Sequence, residues 1–384
     1  MGEHLAMSTS QMPDRAAGCI VGAFIGDALG LGPHWYYDLD ALRRDFGPWI
    51  DGYTAPRPGA RYHAGMKAGE LSQTGIIMRM LLRSVAERGT YDEADFTRRL
   101  DEDLLPKLIA DPFSGPGGYT NHSLRQVWQA RVVEKKSWTE AGGNADTSEA
   151  AERVSILAAA FASDPYLAAK HALDCCRLTQ TDPLVAQQSV AFACVLGALV
   201  RGEAFDEQLS DKLMELVGSG ALPFVVKTSI AAAKKNDKPS FGFPSPDALL
   251  LPSWIAKSAH DPDIRIEPAW KVSLVYGMSC AINFVLPAAY HLAARFPGDF
   301  ENAVLHAING GGQNMSRACL TGALVGAQVG LNGIPARFIE GLDGGEEIVA
   351  LAQRVAASPA NFHTHDHHAK SQSWPQANQI QKAD

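Results

Sequence analysis

Apolar positions recur at three- and four-residue steps along most of this chain, and no segment alternates apolar and polar residues for long. Such spacing predicts amphipathic α-helices, and the lack of a β-α-β rhythm argues against a parallel sheet. Asp164-Pro165 and Asp182-Pro183 each place an N-cap acid before a proline suited to the first helical turn. The chain is therefore predicted to be all-α. The predicted helices cover residues 14–30, 76–85, 95–108, 165–177, 183–201, 268–296 with a kink at Pro287, 300–308, 335–342 and 346–357.

Three stretches lack a helical period and are predicted to be loops. Residues 47–69 and 236–267 are long and rich in Pro, Gly and aromatic side chains, and loops of this length often carry function. Residues 112–121 form a shorter Gly-rich loop that carries Tyr119. The 236–267 stretch is a candidate lid over a pocket.

The chain ends divide the sequence into three parts. Residues 1–14 are polar and are predicted to be a flexible N-terminus, residues 15–357 to form a single helical domain, and residues 358–384 to form a polar tail. Histidines on a loose chain end bind metals adventitiously, so no functional metal is assigned to the tail. Its histidines are His363, His365, His367 and His368.

Composition and charge exclude several classes of protein. The net charge of −8, with scattered Lys and Arg, gives no electrostatic footprint for nucleic acid. No signal peptide opens the chain, and no apolar run is expected to reach the length of a membrane span. The six cysteines lack CxxC spacing, which is typical of reduced core thiols. A cytoplasmic protein without nucleic acid or membrane partners is expected.

One motif near the end of the chain is a candidate pocket floor. Three glycines, 310–312, precede the polar run Gln313-Asn314-Met315-Ser316-Arg317, which leads into a helix of small residues. Free N–H groups at such a helix N-terminus can bind an anion or a polar ligand. The alternative is a tight connection inside a core, because a Gly-rich turn before a helix is a weak signal by itself.

Four motifs in order give the chain a family resemblance. They are GDALG at Gly26, a polar segment at Ser72, LTQTDP at Leu178 and GGQNMSRA at Gly311. In this order the chain resembles the ADP-ribosylglycohydrolase family, which also includes the dinitrogenase reductase activating glycohydrolase and J-type crystallins. The resemblance spans about Arg15 to Leu342 and implies a compact orthogonal bundle of helices.

The resemblance also implies a metal site, from which this chain departs. In active family members the acids and hydroxyls of TDDT and DTDT hold two magnesium ions. Here residues 72–75 read Ser-Gln-Thr-Gly and residues 313–316 read Gln-Asn-Met-Ser, so all four carboxylates are missing. Neutral amides do not offset the dehydration of Mg²⁺, and a Met thioether is too soft a ligand. We therefore expect no cofactor and no metal ligands here.

Three residues are candidates for catalysis. His34 stands where several family members have an acidic residue, and a His can act as an acid or base near neutral pH. Glu70 is the nearest remaining carboxylate to the altered Ser72 motif, and Asp27 lies in the GDALG motif. For His34 the alternative is a loop His with satisfied hydrogen bonds.

The candidate ligand-binding residues come from the altered motifs and the Gly-rich loop. They are Ser72, Gln73, Thr74, Tyr119, Gly311, Gly312, Gln313, Asn314, Ser316 and Arg317. Arg317 could replace the lost metal charge and hold a phosphate or carboxylate, and the alternative is an Arg that pairs with a structural acid or points to solvent. A middle family motif is only partly present, because Ser148 and Glu149 stand where it has Asn and Gly, although Arg153 matches its Arg.

These features leave three functions open. The first is a hydrolase of the glycosidase type that cleaves a ribosyl bond in a rebuilt, metal-free polar pocket. The second is an inactive family member that binds an ADP-ribose-like, nucleotide-like or other small, anionic ligand. The third is a crystallin-like structural protein. The polar residues that replace the metal acids favour a rebuilt site over simple decay.

Overall fold

A computed structural model of the chain describes residues 2–109, 111–224 and 243–358. These residues form sixteen α-helices with short 3-10 and π turns, and they contain only two isolated β-bridges and no sheet. The predicted all-α class is confirmed. The helices are α1 Gly2–Leu31, α2 Leu39–Phe46, α3 Gln73–Arg88, α4 Glu93–Arg99, α5 His122–Trp128, α6 Glu149–Ala160, α7 Pro165–Arg177, α8 Pro183–Val200, α9 Leu209–Gly218, α10 Leu251–His260, α11 Val272–Tyr276, α12 Ile282–Arg295, α13 Phe300–Asn309, α14 Asn314–Val329, α15 Ala336–Glu340 and α16 Gly345–Ala356.

Local capping fixes several helix boundaries where the sequence predicts them. Asp164 accepts a hydrogen bond from the Leu167 N–H, and α7 begins at Pro165 as predicted. Asp182 caps α8 in the same way. The helix predicted from residue 14 begins earlier, at Gly2.

Two predicted segments differ in detail from the structure. The segment 268–296 divides into two helices at Gly277, whose positive φ of 118° suits glycine, and α12 continues through Pro287. The described part of the 236–267 stretch contains α10 instead of an extended loop. The remainder of that stretch and nearly all of the predicted tail lie outside the described residues.

The apolar helix α8 is part of the protein core. By length and composition it is the one helix in the described ranges that could cross a membrane, which corrects the expectation that no apolar run is long enough. In the fold, however, 78% of this segment is buried. Its apolar character is therefore explained by packing inside a helical domain.

Helices α1 and α14 pack closely against each other through their glycines. A Cβ atom added at Gly22 would lie 2.1 Å from the carbonyl oxygen of Gly322, and one added at Gly26 would lie 2.1 Å from that of Ala318. A Cβ atom added at Gly18 would lie 2.4 Å from the carbonyl oxygen of Gly326. The two helices run antiparallel, and only residues without a side chain permit this spacing.

We expect Gly22→Ala to destabilise the protein by roughly 2–3 kcal/mol, because the new methyl group would overlap backbone that cannot move alone. Gly218→Ala is the matched control, because nothing lies within 4 Å of its Cβ position in α9. The control should change the unfolding free energy by about 0.5 kcal/mol or less. Urea denaturation of both variants makes the comparison, and equal stabilities would refute the close packing.

Candidate functional site

A cavity of about 310 Å³ lies where several helices begin. Its wall includes the first turns of α3, α5, α6 and α14 and the loop that follows α1. The Ser72 and Gln313 motifs, 241 residues apart, both line it. The structure therefore brings together the two altered motifs that the sequence analysis treats as one site.

The Ser72 motif forms the first turn of α3 and is held by Asp27. The Ser72 hydroxyl donates to Asp27 Oδ1 at 2.5 Å, and the Ser72 N–H donates to Asp27 Oδ2 at 2.9 Å. Burial raises the pKa of Asp27 to about 6, although the bonds from Ser72 lower it. Asp27 is fully buried and does not line the cavity. Its position is suited to holding Ser72 in place and not to direct catalysis.

The Gln313 motif is a closed network of amides and hydroxyls. Gln313 Nε2 donates to Ser316 Oγ at 2.7 Å, and Trp35 Nε1 donates to Gln313 Oε1. Asn314 Nδ2 donates to the carbonyl oxygen of Pro33 at 3.1 Å. Each of these polar side chains already has a protein partner, which fixes the shape of this part of the wall.

His34 is buried beside this network and is neutral near pH 7. Its Nδ1 lies 3.2 Å from Asn314 Oδ1, and the Asn314 amide nitrogen is committed to carbonyl oxygens, so Nδ1 carries the proton. Burial holds the pKa of His34 well below its ordinary value, and nearby His63 lowers it further. The lone pair is therefore on His34 Nε2, and the ring stacks on Trp35 at 4.6 Å.

Two buried acceptors beside the cavity have no hydrogen-bond partner. His63 Nδ1 donates to the Gly117 carbonyl oxygen at 2.8 Å, which leaves Nε2 unpartnered. Gln73 Nε2 donates to Thr120 Oγ1 at 3.1 Å, which leaves Oε1 unpartnered. Unsatisfied buried acceptors are costly in a native fold and are common at functional sites. His63 was missed from the sequence because it lies within a loop without a motif.

Aromatic rings form one side of the cavity around Tyr119. The Tyr119 ring contacts those of Trp35 and Tyr62 edge-on at 5.1 Å. Trp35 adopts a positive φ of 63°, which turns its ring into this cluster. Tyr119 lines the cavity, as predicted for a ligand-binding residue.

Arg317 does not reach the cavity, which corrects the proposal that it holds a ligand. Its side chain is 1% exposed, and its Nε and Nη2 atoms donate to the carbonyl oxygens of Ala307 and Gly311 at 2.7–3.0 Å. Burial lowers the pKa of the guanidinium to about 9. Arg317 therefore joins the end of α13 to the glycine turn.

The glycine turn is likewise not an anion site. The Gly312 N–H donates to the Tyr36 carbonyl oxygen at 2.7 Å, and the Gln313 N–H donates to that of Met278 at 2.9 Å. Gly311 and Gly312 have φ values of 64° and 57° and do not line the cavity. Of the two sequence-based alternatives, the tight core connection describes this turn.

Glu70 also lies away from the cavity. Its Oε2 accepts a hydrogen bond from the Lys67 N–H at 2.9 Å in an exposed turn. Glu70 is close to Ser72 in sequence, but the backbone turns between them, and Ser72 points inward to Asp27. The catalytic assignment of Glu70 is therefore corrected.

Two buried glutamates at the start of α6 are further candidate functional residues that the sequence analysis did not select. Glu149 lines the cavity, and the Thr147 hydroxyl donates to its Oε2. Glu152 lies one turn further on, is 1% exposed, and accepts a bond from Ser148 Oγ at 2.9 Å. A signal was present, because two acids separated by two alanines open a helix whose remaining residues are mostly apolar.

Neither glutamate has a cation within ion-pairing distance in the described part of the chain. The neighbouring Arg153 donates to the carbonyl oxygens of Cys175 and Cys176 and to Thr179 Oγ1. Burial raises the pKa of Glu149, and burial together with Glu149 raises the pKa of Glu152 to about 8. Glu152 therefore favours the protonated form near pH 7, and burial shifts Glu149 in the same direction.

The residues in the altered motifs do not fit a pair of magnesium ions. The side-chain oxygens of Ser72, Gln313 and Asn314 already take part in hydrogen bonds with protein groups. In the described residues no group of three or more His, Cys, Asp or Glu side chains could hold a metal ion. A hard cation needs several oxygen ligands, mostly carboxylates, and these two motifs supply amides, hydroxyls and a thioether instead.

The raised pKa of Glu152 predicts how the stability of the protein depends on pH. A folded-state pKa above the unfolded value gives stability that is lost as the pH rises from about 5 to about 8. Glu152→Gln removes this loss, so the variant should gain roughly 1–3 kcal/mol over wild type between those two pH values. Glu215→Gln, at an exposed site in α9, is the control. Urea denaturation at both pH values measures the free energies of unfolding. If Glu152→Gln and wild type differ by the same amount at both pH values, the raised pKa of Glu152 is contradicted.

Comparison with known proteins places this arrangement in a family. A model of the ADP-ribosylglycohydrolase family matches residues 7–363. An uncharacterized protein of Archaeoglobus fulgidus is 25% identical over 345 residues, which cover 90% of this chain and 96% of that protein. Crystallin J1A of Tripedalia cystophora is 23% identical over 369 residues, which cover 91% of this chain and 98% of the crystallin.

A solved structure gives independent support for the fold. It is described as an ADP-ribosylglycohydrolase-related protein complex, and it matches this chain with a TM-score of 0.55 at 19% identity. The match covers 90% of this chain and 98% of that one. At such identity the structural match establishes the fold, and the family model covers nearly the same residues. The chain belongs to the ADP-ribosylglycohydrolase family.

Proposed function

We propose that the cavity binds a small ribosyl compound and hydrolyses its glycosidic bond without the paired magnesium ions of the family. The observation that supports this most is Glu149, a carboxyl that lines the cavity while burial raises its pKa. Glycosidases commonly use such a carboxyl as the acid that protonates the leaving group. The coarser statement, membership in the ADP-ribosylglycohydrolase family, rests on the family match.

His34 is the proposed base. Its neutral ring and its fixed Nδ1 proton leave a lone pair on Nε2, which suits removal of a proton from water. In the proposed step, the bond from the ribosyl carbon to its leaving atom breaks and a bond to the water oxygen forms. Glu149 gives its proton to the leaving atom, and His34 Nε2 receives the proton of the water.

A second candidate is binding without turnover, or a structural role. The name of crystallin J1A links one relative to a structural function. Against a purely structural role, the wall keeps polar groups such as Gln73 Oε1 and His63 Nε2 unpartnered. A protein under no demand to bind anything would gain stability by filling these positions with apolar side chains.

Incubation with candidate substrates tests the hydrolase proposal. The full chain is mixed with ADP-ribosyl-arginine, ADP-ribosyl-serine and simple nucleosides, with EDTA and with magnesium, and released ribose or ADP-ribose is measured. We expect turnover of at least one compound that EDTA does not reduce, because the wall lacks ligands for the metal pair. Turnover abolished by EDTA would contradict the metal-free site, and no turnover at all would favour the second candidate.

The acid can be tested by substitution. Glu149→Gln should lower kcat by roughly 100-fold or more, since the amide cannot donate a proton to the leaving group. Glu70→Gln is the control, because Glu70 lies in an exposed turn and should leave kcat unchanged. In wild type the rate should fall as the pH rises through the raised pKa of Glu149. Equal kcat for wild type and Glu149→Gln would remove Glu149 from the mechanism.

A further inference from the structure

The residues that line the cavity include one permanently charged cation, Arg125. Among the lining residues that the structure describes, Arg125 alone carries a permanent positive charge. Burial holds the pKa of His34 and His63 below the ordinary value, for His63 at about 4, so both rings are neutral near pH 7. Two acids, Asp146 and Glu149, also line the cavity, and burial raises the pKa of Glu149. Neither acid takes part in an ion pair in the described part of the chain, so Arg125 has no carboxylate partner among the lining residues.

Arg125 is also held in place by neutral groups. Its Nη1 donates to the Tyr119 hydroxyl at 3.2 Å and to the Thr120 carbonyl oxygen at 3.3 Å, and its guanidinium carbon lies 5.7 Å from the Tyr119 ring centre. No Asp or Glu of the described ranges forms an ion pair with it, whereas Arg131, two turns later, pairs with Asp101. A partly buried, pre-oriented guanidinium without a carboxylate partner is suited to an external anion.

The backbone adds to the same electrostatic preference. The long helices α3, α6 and α14 all begin at the cavity wall, through Gln73, Glu149 and Ser316. The positive ends of three helix dipoles therefore point towards one small volume. These helix ends and the guanidinium of Arg125 together favour a negative group of the ligand on the Arg125 side of the cavity.

We propose that Arg125 is the anion-binding residue of the cavity and that it binds a phosphate group of the ligand. Its fork of N–H donors matches two phosphate oxygens, and the Tyr119 ring beneath it fixes its orientation. The ligand is then a phosphorylated ribosyl compound, with its phosphate at Arg125 and its glycosidic bond nearer Glu149 and His34. This inference rests on the proposed function only in taking this cavity as the ligand site.

Ligand binding, measured without reference to turnover, tests this assignment. The full-length wild type and its variants are titrated by calorimetry and thermal shift with AMP, ADP-ribose, adenosine and inorganic pyrophosphate. We expect wild type to bind AMP more tightly than adenosine. Arg125→Gln should weaken AMP binding by roughly 10-fold or more and leave adenosine binding unchanged, while Arg125→Lys should lose only part of the affinity, since it keeps the charge without the fork.

Arg61→Gln is the matched control. Arg61 also lies over a ring of this aromatic cluster, with its guanidinium carbon 4.3 Å from the Phe113 ring centre, but it does not line the cavity. Its substitution should leave AMP binding unchanged. Equal AMP affinity in wild type and Arg125→Gln would overturn the assignment, and so would equal wild-type affinity for AMP and adenosine or no binding of any phosphate compound.

The two proposals fail in different ways. Phosphate-dependent binding that needs Arg125, without any turnover, supports the anion site and removes the hydrolase. Turnover of a phosphorylated ribosyl compound with the same kcat/KM in wild type and Arg125→Gln supports the hydrolase and removes the anion site.

Discussion

The packing of α1 against α14 is the constraint on which the site depends. Gly22 and Gly26 bring the two backbones within a distance that no side chain would permit. The contact continues to Gly30, whose missing Cβ would lie 2.2 Å from the Met315 Cα atom in the first turn of α14. Because this contact fixes the two helices relative to each other, the loop after α1 places His34 within hydrogen-bonding distance of Asn314. The same packing lets Asp27 accept a hydrogen bond from Ser72.

This frame encloses three carboxyls that form no ion pair in the described part of the chain. Asp27, Glu149 and Glu152 are buried, and burial raises the pKa of each. A pair of magnesium ions needs ionised acids, whereas burial shifts these carboxyls towards the neutral form that can donate a proton. The proposed hydrolysis draws on this shift, because buried acids, amides and imidazoles would act where other family members use a charged metal site.

Sequence reasoning succeeded where local signals decide the structure. The Asp-Pro pairs fix the starts of α7 and α8, and the family resemblance pairs Ser72 with Gln313. It failed where the fold decides which way a side chain points. Arg317 turns inward because the carbonyl oxygens of Ala307 and Gly311, left free at the end of α13, accept its N–H groups. His63, Glu149 and Arg125 reach the cavity only through tertiary packing, which no spacing in the sequence encodes.

Calorimetric titration of the full-length protein with Mg²⁺ near neutral pH, alone and in the presence of ADP-ribose, tests the central claim most directly. The claim is that uncharged polar groups have replaced the cation ligands between Ser72 and Gln313. Because those groups already bind one another, we expect no saturable uptake of Mg²⁺ with or without the nucleotide. Tight, saturable binding of two ions per chain would contradict it.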